Sequence, residues 1–78
     1  MNRTEVKSSN VKSIGFDLEA KTLEIEFKSG GIYRYFGISA EIYNSLMTAP
    51  SIGSYLQANI VRGGFECRKV GDAGKGKK

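Results

Sequence analysis

The fold is decided by the stretch TLEIEFKSGGIYRYF, residues 22–36. Its first half carries an apolar residue at every second position, with glutamates between them, which is typical of a strand with one buried face. Residues 29–31, Ser-Gly-Gly, tolerate the positive φ angles of a tight turn, and residues 32–36 are mostly β-branched or aromatic. The stretch therefore predicts an antiparallel hairpin.

The register of this hairpin follows from the charge of Arg34. If Ile32 and Phe36 faced the core, Arg34 would be buried on the same face without a partner, which is unfavourable. A three-residue loop, Ser29–Gly31, instead turns Arg34 outward and two tyrosines inward. The predicted cross-strand pairs are Phe27 with Tyr33, Ile25 with Tyr35, and Glu26 with Arg34.

An earlier strand is predicted over residues 14–18, because every second residue there is apolar. A four-residue connection over residues 19–22 joins it to the next strand. The predicted pairs across this connection are Leu18 with Leu23 and Phe16 with Ile25. Two further short strands are candidates, namely residues 6–11 at the edge of the sheet and residues 65–67 at its close.

The hydrophobic period becomes helical after Gly37. Ser39 is expected to cap a first helix, with Glu41 in the first turn where the helix dipole favours a carboxylate. Pro50 ends that helix, and residues 52–60 carry one apolar stripe at helical spacing. We therefore predict an α+β fold in which an antiparallel three- to four-stranded meander sheet has two short helices packed on one face.

Length and charge indicate one small domain with a cationic end. The chain has 78 residues and a formal net charge of +4. Residues 1–66 contain seven basic and seven acidic side chains, and the last twelve residues contain five basic and one acidic. We predict a single domain over residues 3–67 and a basic, disordered tail over residues 68–78, which lacks the apolar residues needed for a core.

The residue types present offer little for catalysis. The chain has no histidine, the commonest general base and zinc ligand, and Cys67 is its single cysteine. We expect a protein that is not an enzyme and has no cofactor or metal, located in the reducing cytoplasm. No apolar run is long enough for a membrane span. The acidic trio of Asp17, Glu24 and Glu26 is interpreted as a solvated sheet face, in preference to a cation site or an acid–base group.

Six short motifs, in this order, resemble the KTSC domain family over about residues 3–66. The motifs are Ser8-Ser9-Asn10, Ile14-Gly15-Phe16-Asp17, Leu23-x-Ile25-x-Phe27, Gly31-x-Tyr33-x-Tyr35, Tyr43-x-x-Leu46 and Ala49-x-Ser51-x-Gly53-x-Tyr55-Leu56. Ser39 departs from the family pattern, which has a proline there, and a serine cap serves the same end. The family is named for a segment at the C-terminus of some lysyl-tRNA synthetases and includes short stand-alone bacterial and phage proteins. The resemblance therefore implies RNA binding.

Six residues are the candidates for binding an anion or a nucleic acid: Ser51, Gly53, Ser54, Arg62, Arg68 and Lys69. The first three lie at the start of the second predicted helix, where free N–H groups favour negative charge. The same segment also fits an ordinary capped helix whose glycine packs closely on the first helix. The basic tail fits contacts with phosphates and, equally, a role in solubility.

Three functions are compatible with these features. The first is a non-catalytic module that binds RNA or another nucleic acid. The second is a protein-interaction or self-associating module that uses an edge strand or the acidic sheet face. The third is a receptor or sequestering protein for a small phosphorylated or nucleotide ligand held at Ser51–Ser54. Base stacking on Tyr33 and Tyr35 is disfavoured, because the predicted register points both tyrosines into the core.

Overall fold

Each strand pairs with the next one along the chain, so the sheet is an antiparallel meander. The structure, a computed structural model, describes residues 3–72. The strands are β1 (Arg3–Glu5), β2 (Val11–Asp17), β3 (Thr22–Phe27), β4 (Gly31–Phe36) and β5 (Cys67–Asp72). The helices are α1 (Ala40–Thr48) and α2 (Ile52–Tyr55), and α2 continues as a π-helical segment, Leu56–Val61. The predicted α+β class, antiparallel sheet and two helices are confirmed, with five strands in place of three or four.

Two edge strands account for the difference in strand number. β1 lies at residues 3–5 and pairs with β2, whereas the edge strand was predicted over residues 6–11, most of which form the loop between β1 and β2. At the other edge, β5 pairs with β4 from Cys67 to Asp72, with one irregularity at Val70. The sheet is therefore extended on both sides of the predicted hairpins.

β5 also corrects the predicted domain boundary at residue 67. Residues 68–72 belong to the sheet, although the side chains of residues 68–70 are exposed and Val70 is the one large apolar residue in the segment. Backbone pairing with β4 holds this segment in place, so it needs no apolar anchor of its own. The rest of the predicted tail, residues 73–78, lies outside the described residues.

Both hairpin registers differ from the predicted ones by two residues. In the second hairpin, Ile25 pairs with Tyr33 and Glu24 with Arg34. The turn starts one residue earlier than predicted, because Gly30 adopts a φ of 110° and its N–H donates to the carbonyl of Phe27 at 2.9 Å. A slip of two residues preserves the alternation of faces, so the tyrosines still point inward and Arg34 still points outward.

The first hairpin turns one residue early for a similar local reason. The side chain of Asp17 accepts a hydrogen bond from the N–H of Ala20 at 3.1 Å, and Asp17 pairs with Thr22. Aspartate favours such turns because its carboxylate bonds to the backbone a few residues onward. Leu18 therefore lies in the turn and is 63% exposed, which contradicts its predicted place in the core.

The core lies between the inner face of the sheet and the two helices. Ser39 caps α1 as predicted, since its Oγ accepts a hydrogen bond from the N–H of Ile42 at 3.2 Å. The rings of Phe16 and Tyr43 stack at 4.6 Å and join β2 to α1. The buried apolar residues are Val11, Ile14, Leu23, Ile25, Tyr35, Ile38, Leu46, Leu56 and Ile60. Within residues 3–72, no helix is long and apolar enough to cross a membrane.

The outer face of the sheet is held by ion pairs and is not solvated as predicted. Glu24 and Glu26 are each only 7% exposed. The Arg34 Nε donates to Glu24 at 2.8 Å, and an Arg3 guanidinium nitrogen lies 3.0 Å from the other Glu24 oxygen. Ser13 donates to Glu26 at 2.8 Å. The long arginine side chains cover the glutamates, which alternation alone does not reveal.

The strand directions gather one set of loops at one end of the sheet, which we refer to as the lower end. There β1 leads into the loop over residues 6–10, and the turn over residues 28–30 joins β3 to β4. β5 also ends there, because Asp72 lies opposite Gly31. The upper end carries the turn over residues 18–21 that joins β2 to β3.

The register can be tested with two leucines that the sequence-based pairing placed side by side. Leu23→Ala should lower the free energy of unfolding by about 3 kcal/mol, because Leu23 is fully buried. Leu18→Ala should change it by less than about 0.5 kcal/mol, since Leu18 is exposed. Urea unfolding followed by circular dichroism measures both values. Equal losses for the two variants would contradict the observed turn.

The outer-face ion pairs can be tested with Glu24→Gln. This variant keeps the side-chain shape but leaves two arginines without their shared carboxylate. We expect a loss of about 1–2 kcal/mol in the free energy of unfolding, because the carboxylate is buried while the arginines remain partly open to water. Glu19→Gln, in the exposed upper turn, is the matched control and should change stability by less than about 0.5 kcal/mol. Similar urea midpoints for both variants would argue against a structural role for Glu24.

Candidate functional site

A cavity of about 460 Å³ opens at the lower end of the sheet, between the loop that follows β1 and the start of α2. It is lined by residues 7–10, 50–54, 57, 58 and 62. The cavity brings together four of the six predicted site residues, namely Ser51, Gly53, Ser54 and Arg62. We refer to it as the Lys7–Arg62 cavity, after the two cations of its lining.

The serines of this cavity are largely engaged in local structure. The Ser51 Oγ accepts a hydrogen bond from the N–H of Ser54 at 3.3 Å and lies 3.1 Å from the Ser54 Oγ. The Ser8 Oγ accepts hydrogen bonds from the N–H groups of Asn10 and Val11, both at 3.3 Å. These contacts favour the interpretation of Ser51 as an ordinary helix cap. The hydroxyls contribute to the polarity of the wall rather than forming a ready-made anion site.

Gly53 allows the two walls of the cavity to approach each other. A Cβ atom at this position would lie 3.3 Å from the Ser8 Oγ, which is a tight contact. The close packing foreseen for this glycine therefore exists, but its partner is the loop after β1 and not the first helix. Gly53 and Ser8 both line the cavity, so its two walls approach each other closely at this point.

Lys7 and Arg62 supply the cavity with positive charge. Both are exposed, and among residues 3–72 the side chain of neither one forms an ion pair or a hydrogen bond. Lys7 was not among the predicted site residues, because 54 residues of chain separate it from Arg62. Its position directly before the Ser8-Ser9-Asn10 motif was the available signal.

No carboxylate of the described residues offsets these cations within the cavity, since none of its lining residues is an aspartate or a glutamate. Asp17 and Glu19 lie at the upper end of the sheet, and Glu24 and Glu26 are paired on its outer face. Glu5 and Asp72 end β1 and β5 at the lower end, but neither residue lines the cavity. The wall of the Lys7–Arg62 cavity is therefore cationic and suited to an anion.

The two remaining predicted residues, Arg68 and Lys69, lie on β5 and do not line the cavity. Arg68 is highly exposed and lies 3.8 Å from Glu66. β5 nevertheless runs toward the lower end and reaches it at Asp72. Three lysines follow Asp72 within six residues of sequence, namely Lys75, Lys77 and Lys78. The basic stretch therefore continues from the end of the sheet that carries the cavity.

The two tyrosines of β4 are part of the core and not a surface for stacking. Tyr35 is 6% exposed, and Tyr33 packs against the core from a partly buried position. Burial raises the pKa of the Tyr35 hydroxyl well above its usual value, and a side-chain hydrogen bond with Cys67 adds to the shift. Within residues 3–72, no cluster of three or more histidine, cysteine or acidic side chains is arranged to hold a metal.

Comparisons with known proteins agree with this fold. The crystal structure of a KTSC domain protein from Yersinia pestis matches with a TM-score of 0.83 and 37% sequence identity, covering 90% of this chain and 97% of that chain. An uncharacterised protein from Stutzerimonas stutzeri (strain A1501) is 40% identical over 55 residues, which is 70% of this chain and 78% of that protein.

A longer relative is the lysine–tRNA ligase of Nostoc punctiforme, which is 32% identical over 64 residues. The alignment covers 82% of this chain, and it spans only 11% of the ligase. The family model of the KTSC domain matches residues 7–65, a range that holds α1, α2, three strands and the whole lining of the Lys7–Arg62 cavity. The chain belongs to the KTSC domain family.

Proposed function

We propose that this chain is a non-catalytic module that binds nucleic acid, RNA foremost, through the Lys7–Arg62 cavity. The observation that carries the proposal is a pair of cations without partners among residues 3–72, on a polar wall whose lining has no carboxylate. Phosphate groups are the anions that such a wall attracts, since each lysine or arginine contact releases counterions from the nucleic acid backbone. The lining offers cations and hydrogen-bond donors and no acid–base pair, so binding is the chemistry that it fits.

The relation to lysine–tRNA ligases supports RNA as the ligand. The name of those proteins states that they act on tRNA. The segment that matches this chain is a small part of a much longer protein. A segment of that size fits an accessory binding unit better than a catalytic one. We place this binding in the cytoplasm, where the exposed thiol of Cys67 would stay reduced.

A second candidate is a small phosphorylated ligand, such as a nucleotide, bound in the same cavity. The volume of about 460 Å³ lies within the usual range of small-molecule sites. Such sites are mostly apolar and enclosed, whereas this wall is dominated by serines, amides and cations on an open surface. We favour an RNA chain over a mononucleotide, because an open cationic surface can contact more than one phosphate of the backbone.

The first test reverses the two cations of the cavity. Lys7→Glu and Arg62→Glu should each weaken the binding of a labelled RNA oligomer, about tenfold at low salt, because each removes a phosphate contact and adds a repulsive charge. Affinity decreases with salt, and the slope of log affinity against log salt should become less steep by about one for each phosphate contact that a variant removes. Fluorescence anisotropy over a salt series measures both quantities.

The matched control for these variants is Lys21→Glu. It makes the same change of charge in the exposed turn at the upper end of the sheet. We expect it to leave the salt slope unchanged and to alter affinity far less. Equal effects at residues 7, 21 and 62 would mean that only net charge matters, and the cavity would then have no special role. Tighter binding of a mononucleotide than of the oligomer would favour the second candidate.

The basic stretch after β5 can be tested separately. A chain that ends at Asp72 keeps the whole of β5 and removes three lysines. We expect weaker RNA binding and a salt dependence that is less steep by about two, with an unchanged urea midpoint, because the lysines follow a strand that ends at the same end of the sheet as the cavity. Replacing the same three lysines by glutamine in the 78-residue chain is the control for length. Unchanged affinity in both variants would assign these lysines to solubility alone.

A further inference from the structure

A second cavity, of about 450 Å³, adjoins the first at the lower end of the sheet. Ser9, Asn10 and Gln57 line both cavities, so the two are neighbours on one surface with these polar side chains between them. Phe27 and Lys28 line the second cavity and not the first. We refer to it as the Phe27 cavity.

The two cavities differ in chemistry. The lining of the Lys7–Arg62 cavity carries two cations and no aromatic ring, whereas the Phe27 cavity combines an aromatic ring with one cation. Phe27 is partly buried, and its ring meets that of Tyr33 edge to face at 5.6 Å, which fixes its position. A fixed ring beside a lysine is the kind of surface on which an unpaired base stacks next to its phosphate.

Two side-chain amides between the cavities are available to a ligand. The Asn10 backbone is held on both sides, because its carbonyl accepts from the N–H of Lys28 at 2.8 Å and its N–H donates to Ser8. Among residues 3–72, the side chain of Asn10 makes no hydrogen bond, and neither does that of Gln57. A side-chain amide offers both a hydrogen-bond donor and an acceptor. The edge of a base also carries donors and acceptors, so the two can form paired hydrogen bonds.

We propose, on the basis of the function proposed above, that the ligand is a single strand of at least two nucleotides. A backbone phosphate contacts Lys7 and Arg62, a neighbouring base enters the Phe27 cavity, and the amides of Asn10 and Gln57 lie between them. A duplex satisfies only the first of these contacts, because its bases are paired and stacked within the helix. The groove formed by the two cavities therefore selects unpaired nucleic acid through the Phe27 cavity and attracts any nucleic acid through the Lys7–Arg62 cavity.

The test compares three labelled RNA ligands of equal length by fluorescence anisotropy: a single strand, its duplex, and a strand with abasic positions. The single strand should bind at least about fivefold more tightly than the other two, which corresponds to the stacking of one base. Phe27→Leu should remove this preference and leave affinity for the abasic strand unchanged. Phe36→Leu, at another partly buried phenylalanine near the upper end of β4, is the matched control and should change nothing.

Two further variants keep the outcomes distinct. Phe27→Met removes the ring and keeps an apolar side chain of similar volume, so it replaces Phe27→Leu if that variant is unstable in urea. If all three ligands bind equally, or if the preference for the single strand persists in the Phe27 variants, while Lys7→Glu still weakens the binding of each ligand, the single-strand inference is overturned and the proposed function stands. If Lys7→Glu leaves every affinity unchanged, both are overturned.

Discussion

The carboxylate of Glu24 joins three strands, and the position of the candidate site depends on it. One oxygen accepts a hydrogen bond from Arg34 of β4 and the other lies 3.0 Å from Arg3 of β1. The contact with Arg3 fixes a strand of only three residues, whose backbone pairing alone would be weak. Because β1 is fixed, the loop that follows it returns across the lower end of the sheet, where Lys28 bonds to Asn10. Lys7 lies on this loop, so an ion pair on the outer face helps to place a cation at the groove.

The cationic lining of the two cavities explains how a domain with balanced charge can attract a polyanion. Glu24 and Glu26 are paired with arginines on the outer face, and Asp17 and Glu19 lie at the upper end of the sheet. The residues that line the two cavities include three cations and no carboxylate, the cations being Lys7, Lys28 and Arg62. The lining cations lie closest to a bound phosphate, and interactions between exposed charges weaken over about a Debye length, roughly 10 Å at moderate salt, so these cations count for more than the net charge of the domain.

Much of the fold could be predicted because its information is local and periodic. The alternation over residues 23–27 determined which face points into the core, and the cap at Ser39 was evident from its neighbours. The registers could not be determined in the same way, because a slip of two residues leaves every side chain on the same face. The choice between the two registers lies in the turns, and Gly30 and Gly31 are both able to adopt positive φ. Only the structure shows that Gly30 adopts it.

The sequence allowed the residues of only one wall of the candidate site to be predicted. Ser51, Gly53, Ser54 and Arg62 lie close together in sequence, so a helix start and a nearby cation could be identified together. The opposite wall comes from residues 7–10, and nothing in the sequence shows that the start of the chain crosses to α2. The burial of Glu24 was missed for the same reason, since it depends on an arginine far away in sequence. Contacts between distant segments are properties of the folded chain and have no local signature.

The family match places the groove in the part of the chain that the family shares. The matched range, residues 7–65, contains every lining residue of both cavities. It ends before β5, which pairs with β4 and directs the chain to the lower end of the sheet at Asp72. The groove thus belongs to the common part of the molecule, and the lysines that follow β5 in the sequence lie outside the matched range. Because counterion release depends on the number of phosphates contacted and not on which bases lie beside them, a basic extension can raise affinity for a polyanion without altering what the groove selects.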